Sequence, residues 1–361
     1  MRGSQTTPAL TIMPTITIAD RTIGEHCPCF IVAEAGVNHN GDLDRAFKLI
    51  DTAAEAGADA VKFQTFTAER VVSPQAPKAA YQERNAGTAE SQFDMLKKLE
   101  LSIADHRALM DRCVERNLVF LSSPFDEEAV DLLDDLKVAA FKVPSGEITN
   151  LPYLHRMGRC GRPVILSTGM TNLEEVMAAL DALTDRHDIP ICLLHCTSNY
   201  PASPESVNLR AINTMQGKLG HPIGFSDHTE GIWIPIAAAA RGACMVEKHF
   251  TLDRSLPGPD HKASIEPPEL KALVEGIRLV ESALGDGIKC PQPEEMDTRN
   301  IARKSVVAAR IIPKGKVIEG DDLTLLRPGT GLPPGEFPKV VGRTAAREIK
   351  FGELIVWEML K

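Results

Sequence analysis

The sequence predicts a (β/α)₈ TIM barrel followed by a small β-rich domain. Three observations predict it. Eight short apolar runs recur through the first 285 residues, each followed by a segment of helical period. The runs are near-continuous in hydrophobicity, as parallel strands covered on both faces must be. After residue 300 the long helical patterns stop and short strand-like runs alternate with Gly and Pro. The domains are therefore read as 1–285 for the barrel, 286–300 for a linker and 301–361 for the tail.

The eight runs are Phe30–Gly36, Ala60–Phe66, Leu118–Pro124, Ala139–Ser145, Pro163–Gly169, Ile191–Thr197, Pro222–His228 and Met245–Thr251. Between the first two, Leu43, Ala46, Phe47, Ile50 and Ala53 fall on one helical stripe, and Gly57 provides the stop. Asp126–Lys137, Asn172–Leu183 and Pro267–Leu284 behave in the same way. A doubly wound open sheet is the alternative, but no Gly-x-Gly-x-x-Gly follows a strand, so the main argument for it is missing. Residues 285–300 are rich in Gly, Pro and charge and read as a linker. In the tail, Ser305–Ala309, Val317–Ile318, Leu323–Leu326, Val340–Val341 and Leu354–Trp357 read as strands, with little core of their own.

Composition narrows the function. Against 40 Lys and Arg stand 49 Asp and Glu, a net charge of −9 over 361 residues. That balance opposes binding to nucleic acid or to an anionic membrane surface, so neither is expected as a partner. No apolar run approaches the roughly 18 residues of a membrane span. The eight cysteines contain no Cys-x-x-Cys pair and read as buried thiols of a reducing, cytoplasmic compartment.

In a (β/α)₈ barrel the chemistry lies where the strands end. Nearly every run here ends in polar groups: Glu34; Lys62 and Gln64; Ser122 and Ser123; Lys142, Ser145 and Glu147; Ser167 and Thr168; His195 and Ser198 with Tyr200 beyond; Ser226, Asp227 and His228; Glu247, Lys248 and His249. Polar groups inside apolar strands are costly unless paired or used. Eight strands sharing the feature at one end point to one site. Lys62 and Lys142 are open to three readings: lysines paired with strand carboxylates, a phosphate or carboxylate clamp, or a Schiff-base nucleophile. Hydroxyls at Ser145, Ser167 and Ser226, with Gly146 and Gly169 nearby, favour the clamp. His228 and His249 fall on neighbouring strands, with Glu34 closing the ring. Two imidazoles and a carboxylate suit Mn²⁺, Fe²⁺, Co²⁺ or Zn²⁺. His39, His106, His155, His187 and His221 fit no pattern and read as surface or loop residues, while His261 is placed near Asp260.

The blocks AEAGVNHNGD (33–42), VKFQTF (61–66), SSPFD (122–126), FKVPSGEITN (141–150), LSTGM (166–170), HCTSNYP (195–201), GFSDHT (224–229), EKHFTLD (247–253), GPDHKAS (258–264) and RKSV…RPGTG (303–331) resemble, in unbroken order, the sialic-acid synthases. These are phosphoenolpyruvate-dependent synthases of nine-carbon α-keto acids such as N-acetylneuraminate and N,N'-diacetyllegionaminate. The resemblance implies a barrel with a C-terminal SAF (antifreeze-like) domain and a domain-swapped homodimer. It implies condensation of phosphoenolpyruvate with an N-acetylated hexosamine, either N-acetylmannosamine or a 2,4-diacetamido-trideoxy-mannose, with phosphate leaving by C–O cleavage. A divalent metal ion is implied, Mn²⁺ first, with Mg²⁺ or Co²⁺ as alternatives.

Block by block, the resemblance implies Glu34, His228 and His249 as catalytic residues, the two histidines also as metal ligands. It implies a phosphoenolpyruvate pocket of Lys62, Ser122, Ser123, Lys142, Ser145, Ser167, Ser198 and Ser226. Gln64, Glu147, Tyr200 and Asp260 correspond to the sugar-binding set, with Arg327 of RPGTG reaching the sugar from the partner's SAF domain. There is one departure. Bacterial neuraminate synthases read C-T-N-x-Y-P where this chain reads C-T-S-N-Y-P, so Ser198 takes the place of an Asn and Asn199 falls one residue late. A legionaminate-type sugar therefore stays open. The readings set against this one are a Schiff-base aldolase acting on pyruvate, a non-catalytic sugar-binding module and a synthase of other 3-deoxy-keto acids.

Overall fold

The computed structural model describes residues 14–73, 75–78 and 91–361. They fall into two compact units, 1–285 and 286–361.

The first unit opens with an antiparallel hairpin, β1 (Ile16–Ile18) and β2 (Arg21–Ile23). Eight parallel strands follow: β3 (Phe30–Gly36), β4 (Ala60–Thr65), β5 (Val119–Pro124), β6 (Phe141–Val143), β7 (Val164–Ser167), β8 (Ile191–Cys196), β9 (Ile223–Asp227) and β10 (Met245–His249). Their order is β5-β4-β3-β10-β9-β8-β7-β6, and β5 and β6 at its ends lie side by side. The sheet is a nearly closed barrel, so the open doubly wound alternative falls.

Successive residues of a strand point to opposite faces, and here this sorts two cores. Side chains facing the helices (Ile31, Val61, Phe63, Phe141, Leu166, Leu193, Phe225, Val246) join the large outer core. Those facing inward at the start of the strands (Phe30, Val32, Leu121, Ile165, Leu194, Met245) form an inner core, and Ile16, Ile18 and Ile23 of the hairpin plug it from below. The same inward faces turn polar toward the strand ends: Glu34, Lys62, Ser123, Lys142, Ser167, Ser226, Glu247. The floor of the barrel is therefore dry and packed, and its other end holds buried polar groups.

The helices are sharply bounded. α1 (Leu43–Ala56) starts on the Asp42 side chain, which accepts from Arg45 N, and stops at left-handed Gly57. Short helices α2 (Ala68–Val71) and α3 (Gln92–Lys97) follow β4. α4 (Ile103–Glu115) opens with a reciprocal Ser102–Asp105 capping box.

The second unit contains β11 (Ser305–Ala308) paired antiparallel with β12 (Leu323–Leu326). Single bridges tie Val307 to Leu354, Ile312 to Ile349 and Val317 to Thr344. Three expectations change. Val340 closes a short helix, Phe337–Val340, instead of a strand. The expected linker runs into a helix, Met296–Ala302. The unit also has its own core, built on Val306, Ile312, Ile318, Val340, Ile349 and Ile355. These apolar residues are too widely spaced to register as a core along the chain. Among the described residues no helix is long and apolar enough to cross a membrane.

Candidate active site

A cavity of about 470 Å³ opens at the strand ends of the barrel. Its polar part is built by inward-facing residues in register. Glu34 of β3 stands directly between Lys62 of β4 and His249 of β10, and Ser226 of β9 pairs with Glu247 of β10. Lys62 Nζ lies 2.6 Å from Glu34 Oε2 and donates to Ser123 Oγ at 3.0 Å. Lys142 Nζ donates to Ser167 Oγ at 2.7 Å. Glu247 stands between the two lysines, 3.8 Å from Lys62 and 3.5 Å from Lys142, and accepts from Ser226 Oγ at 3.1 Å.

Charge follows from this packing. Burial opposes ionisation of Lys62, yet Glu247 and Glu34 outweigh it and raise its pKa. Burial likewise opposes a charge on Glu247, but Lys142 and Lys62 hold it below the ordinary carboxylate range. Burial lowers Lys142 and pushes the Glu34 carboxyl up to about 7 against the pull of Lys62. Lys62 and Glu247 thus form the charged pair. Glu34 sits near neutrality, able to hold or release a proton. Glu34 Oε2 and Glu247 Oε2 accept no well-aligned hydrogen bond, so buried acceptor capacity is left over.

Above this floor the rings of His228 and His249 lie 5.5 Å apart, with Tyr200 4.1 Å from His228. His228 Nδ1 meets the Thr197 carbonyl at 2.9 Å. A carbonyl only accepts, so Nδ1 carries a proton and Nε2 is the nitrogen left for another partner; burial opposes charge on this ring, yet Cys196 and the Thr197 carbonyl raise its pKa. His249 Nδ1 is buried without a partner. Burial, then the positive charge of His228 and the lysines, pushes His249 far below its usual value, so it is a neutral donor. Among the described residues no three His, Cys, Asp or Glu side chains gather into a metal cluster. The two imidazoles fit a metal ion held by two protein nitrogens, with its other positions left for substrate and water.

Two glycines keep the site open. A Cβ on Gly169 would collide with Ser198 Oγ and fall 2.7 Å from Ser145 Oγ, which accepts from Gly169 N at 3.0 Å. A Cβ on Gly36 would stand 3.2 Å from Glu34 Oε1 and 3.6 Å from the His249 ring.

Residues 49–289 match the NeuB family and residues 303–361 the SAF domain. The chain belongs to the NeuB family. It is 47% identical over 342 residues to the N,N'-diacetyllegionaminic acid synthase of Legionella pneumophila, covering 94% of this chain and 96% of that one. It is 48% identical over 329 residues to the enzyme of the same name from Campylobacter jejuni, covering 90% and 98%. The N-acetylneuraminic acid (sialic acid) synthetase of Leptospira borgpetersenii, solved in complex with citrate, superposes with a TM-score of 0.71 at 37% identity, over 79% of this chain and 95% of that one. The family resemblance in the sequence is thereby confirmed.

In this NeuB-family chain the cavity gathers Glu34, Lys62, Gln64, Ser123, Lys142, Ser145, Ser167, Ser198, Tyr200, Ser226, His228, His249 and Asp260. Burial pushes the Asp260 carboxyl up to about 6, with His228 and Lys62 opposing. Two expected residues lie elsewhere. Ser122 is one step out of phase with Ser123 and faces the helices, where its hydroxyl meets Thr65 Oγ1 at 2.6 Å and Thr65 in turn meets His106 Nε2 at 2.8 Å. Glu147 ends the 3₁₀ turn Ser145–Glu147, accepts from Asn150 and lines a separate surface hollow. Arg327 follows β12 in the second unit, exposed. His39 and His106, expected as surface or loop residues, are fully buried, His39 in the loop after β3 and His106 on α4. Glu247 was assigned no role from the sequence. Strand alternation alone selects it: it shares the inward face with His249, while Lys248 between them faces out and donates to Asp227 Oδ2 at 2.6 Å.

Proposed function

We propose that the chain is a phosphoenolpyruvate-dependent synthase that condenses phosphoenolpyruvate with an N-acetylated hexosamine and releases phosphate. The product is a nine-carbon α-keto acid. Relatives named for N,N'-diacetyllegionaminic acid favour that product, hence a 2,4-diacetamido-trideoxy-mannose as acceptor. The observation that carries the reading is the pair of buried lysines, Lys62 and Lys142, ringed by serine hydroxyls and bridged by Glu247 beneath two open imidazoles.

The chain's residues divide the work. Lys62 and Lys142, with Ser123, Ser145, Ser167 and Ser226, hold the phosphate and carboxylate and fix the enol against the aldehyde, which turns a bimolecular encounter into a positioned one. Glu247 neutralises the lysines while the cavity is empty and keeps two cations buried side by side. C3 of the enol attacks the aldehyde carbon, and positive charge develops at C2. Glu34 stabilises that charge and, poised near neutral pH, takes the proton of the water that adds there. The tetrahedral centre then expels phosphate together with the bridging oxygen. Gln64, Tyr200 and Asp260 line the sugar side. His228 and His249 would hold a divalent ion, Mn²⁺ by preference, which supplies Lewis-acid polarisation of the aldehyde oxygen when bound. Eight free thiols support a reducing, cytoplasmic setting.

The test is phosphate release from phosphoenolpyruvate against a panel of N-acetylated hexosamines. Label placed in the bridging enol oxygen is expected in phosphate, and label retained in the sugar product refutes the C–O cleavage. Burial also lowers Lys142, which on its own suits a Schiff base. Borohydride with pyruvate decides: no adduct is expected, and an adduct at Lys142 establishes the aldolase reading.

A further inference from the structure

The cavity has a second character that the clamp does not use. Beyond Gln64 on β4 and Ser123 on β5 the described lining turns mostly apolar, Gln92 on α3 excepted: Phe66, Val71 on α2, Met95 and Leu96 on α3, Leu99 and Phe125 all face it. They pack on one another as a small core of their own, with the Phe66 and Phe125 rings edge to face at 6.2 Å. Phe66, Met95 and Leu99 are almost wholly buried, so the wall is built into the fold.

We infer that this wall sets acceptor specificity, selecting a hexosamine whose far end carries methyl groups in place of hydroxyls. The inference rests on the synthase reading above. The lysine floor fixes the anion, so the aldehyde end of the sugar lies at the floor and its C4–C6 end reaches the loops after β4 and β5. Against the apolar part of this wall a C6 hydroxymethyl and a C4 hydroxyl lose water without regaining a hydrogen bond. A C6 methyl and the methyl of a C4 acetamido group bury apolar surface there instead. Single-group differences in such pockets are worth about tenfold to a hundredfold in kcat/KM.

The experiment compares kcat/KM for 2,4-diacetamido-2,4,6-trideoxymannose and N-acetylmannosamine, read as phosphate release, in the unaltered protein and in Leu96→Gln and Val71→Thr. Both positions are only half-buried, and thermal unfolding checks that each variant folds. The unaltered protein is expected to prefer the trideoxy sugar by at least about tenfold. Each variant should lower that ratio while the KM for phosphoenolpyruvate stays fixed. Equal or better use of N-acetylmannosamine overturns the inference and leaves the synthase reading intact. A strong preference that neither variant moves overturns the assignment to this wall. Absence of phosphate release with both sugars overturns the synthase reading itself.

Discussion

Glu34 and Lys62 face each other across the β3–β4 ladder, with Oε2 and Nζ 2.6 Å apart and both side chains buried. Lys62 also stands 3.8 Å from the ionised Glu247, and removing the lysine strands that carboxylate beside the poised Glu34 with a cation lost. Lys62→Met leaves Glu34 and Glu247 facing each other and is expected to lose about 3 kcal/mol of stability, together with phosphate release. Adding Glu34→Gln should recover part of the stability and none of the activity. Denaturant unfolding of the two variants checks this. A Lys62→Met protein as stable as the parent would mean that Lys62 carries no charge in the folded protein.

Gly169 is the point where Ser145 and Ser198 come together. Gly169→Ala forces both hydroxyls away without touching a charge. The expected result is a KM for phosphoenolpyruvate raised by about tenfold, the scale of one hydrogen bond to a charged group. The sugar KM should change little. Initial-rate kinetics in both substrates separate the two, and an unchanged phosphoenolpyruvate KM removes these hydroxyls from the clamp.

His39 makes a different prediction, about acid stability. Its ring is fully buried, Nδ1 accepts from Gly41 N at 3.0 Å, and burial pushes its pKa down to about 4. An unfolded chain protonates this imidazole near 6.5. Between these values the unfolded state binds more protons, so the contribution is complete above pH 6.5 and drains away as pH falls toward 4. The loss amounts to roughly 3 kcal/mol. His261, also brought down to about 4 by burial, adds to the same slope. His39→Gln should flatten the fall of the unfolding midpoint between pH 6.5 and 4, whatever it does to stability at pH 7.

These groups differ in how far the chain announces them. Strand and helix positions were legible because apolar period is local: Pro267–Leu284 is read and found with the same ends. Lys62, Lys142, His228 and His249 were legible because charge inside an apolar run is conspicuous. Ser122 and Ser123 were not separable by type, since only the pleat decides which of two adjacent serines faces inward. Glu247 hid for the same reason, beside a lysine that pairs outward with Asp227. The apolar wall joins residues from three chain segments, 66–71, 95–99 and 125, and each alone reads as ordinary core. His39 is buried beside the Phe63 ring and His106 on Thr65 Oγ1, contacts between distant segments that no local pattern reports.

The paired imidazoles predict a dependence on metal. His249 offers a neutral, unpartnered nitrogen 5.5 Å, ring to ring, from His228. Treatment with EDTA is expected to reduce phosphate release by more than about a hundredfold, as loss of several kcal/mol of transition-state stabilisation requires. Mn²⁺ should restore it in the parent and fail to restore it in His249→Ala. Full activity of the chelated protein would leave the two histidines with substrate contacts alone.

Arg327 carries the last prediction, because it belongs to the unit whose core is independent of the barrel. The family resemblance implies that this side chain completes the sugar site of a second copy. Arg327→Ala is then expected to raise the sugar KM and leave the phosphoenolpyruvate KM unchanged. Complementation gives the sharper readout. Co-expression of Arg327→Ala with Glu34→Gln, assayed at a sugar concentration far below the raised KM so that each alone gives little phosphate, is expected to yield mixed dimers with one intact site of two. Random pairing makes half the dimers mixed, so roughly a quarter of parental activity should return. If Arg327 served the barrel of its own chain, every mixed dimer would carry two defective sites and no activity would reappear.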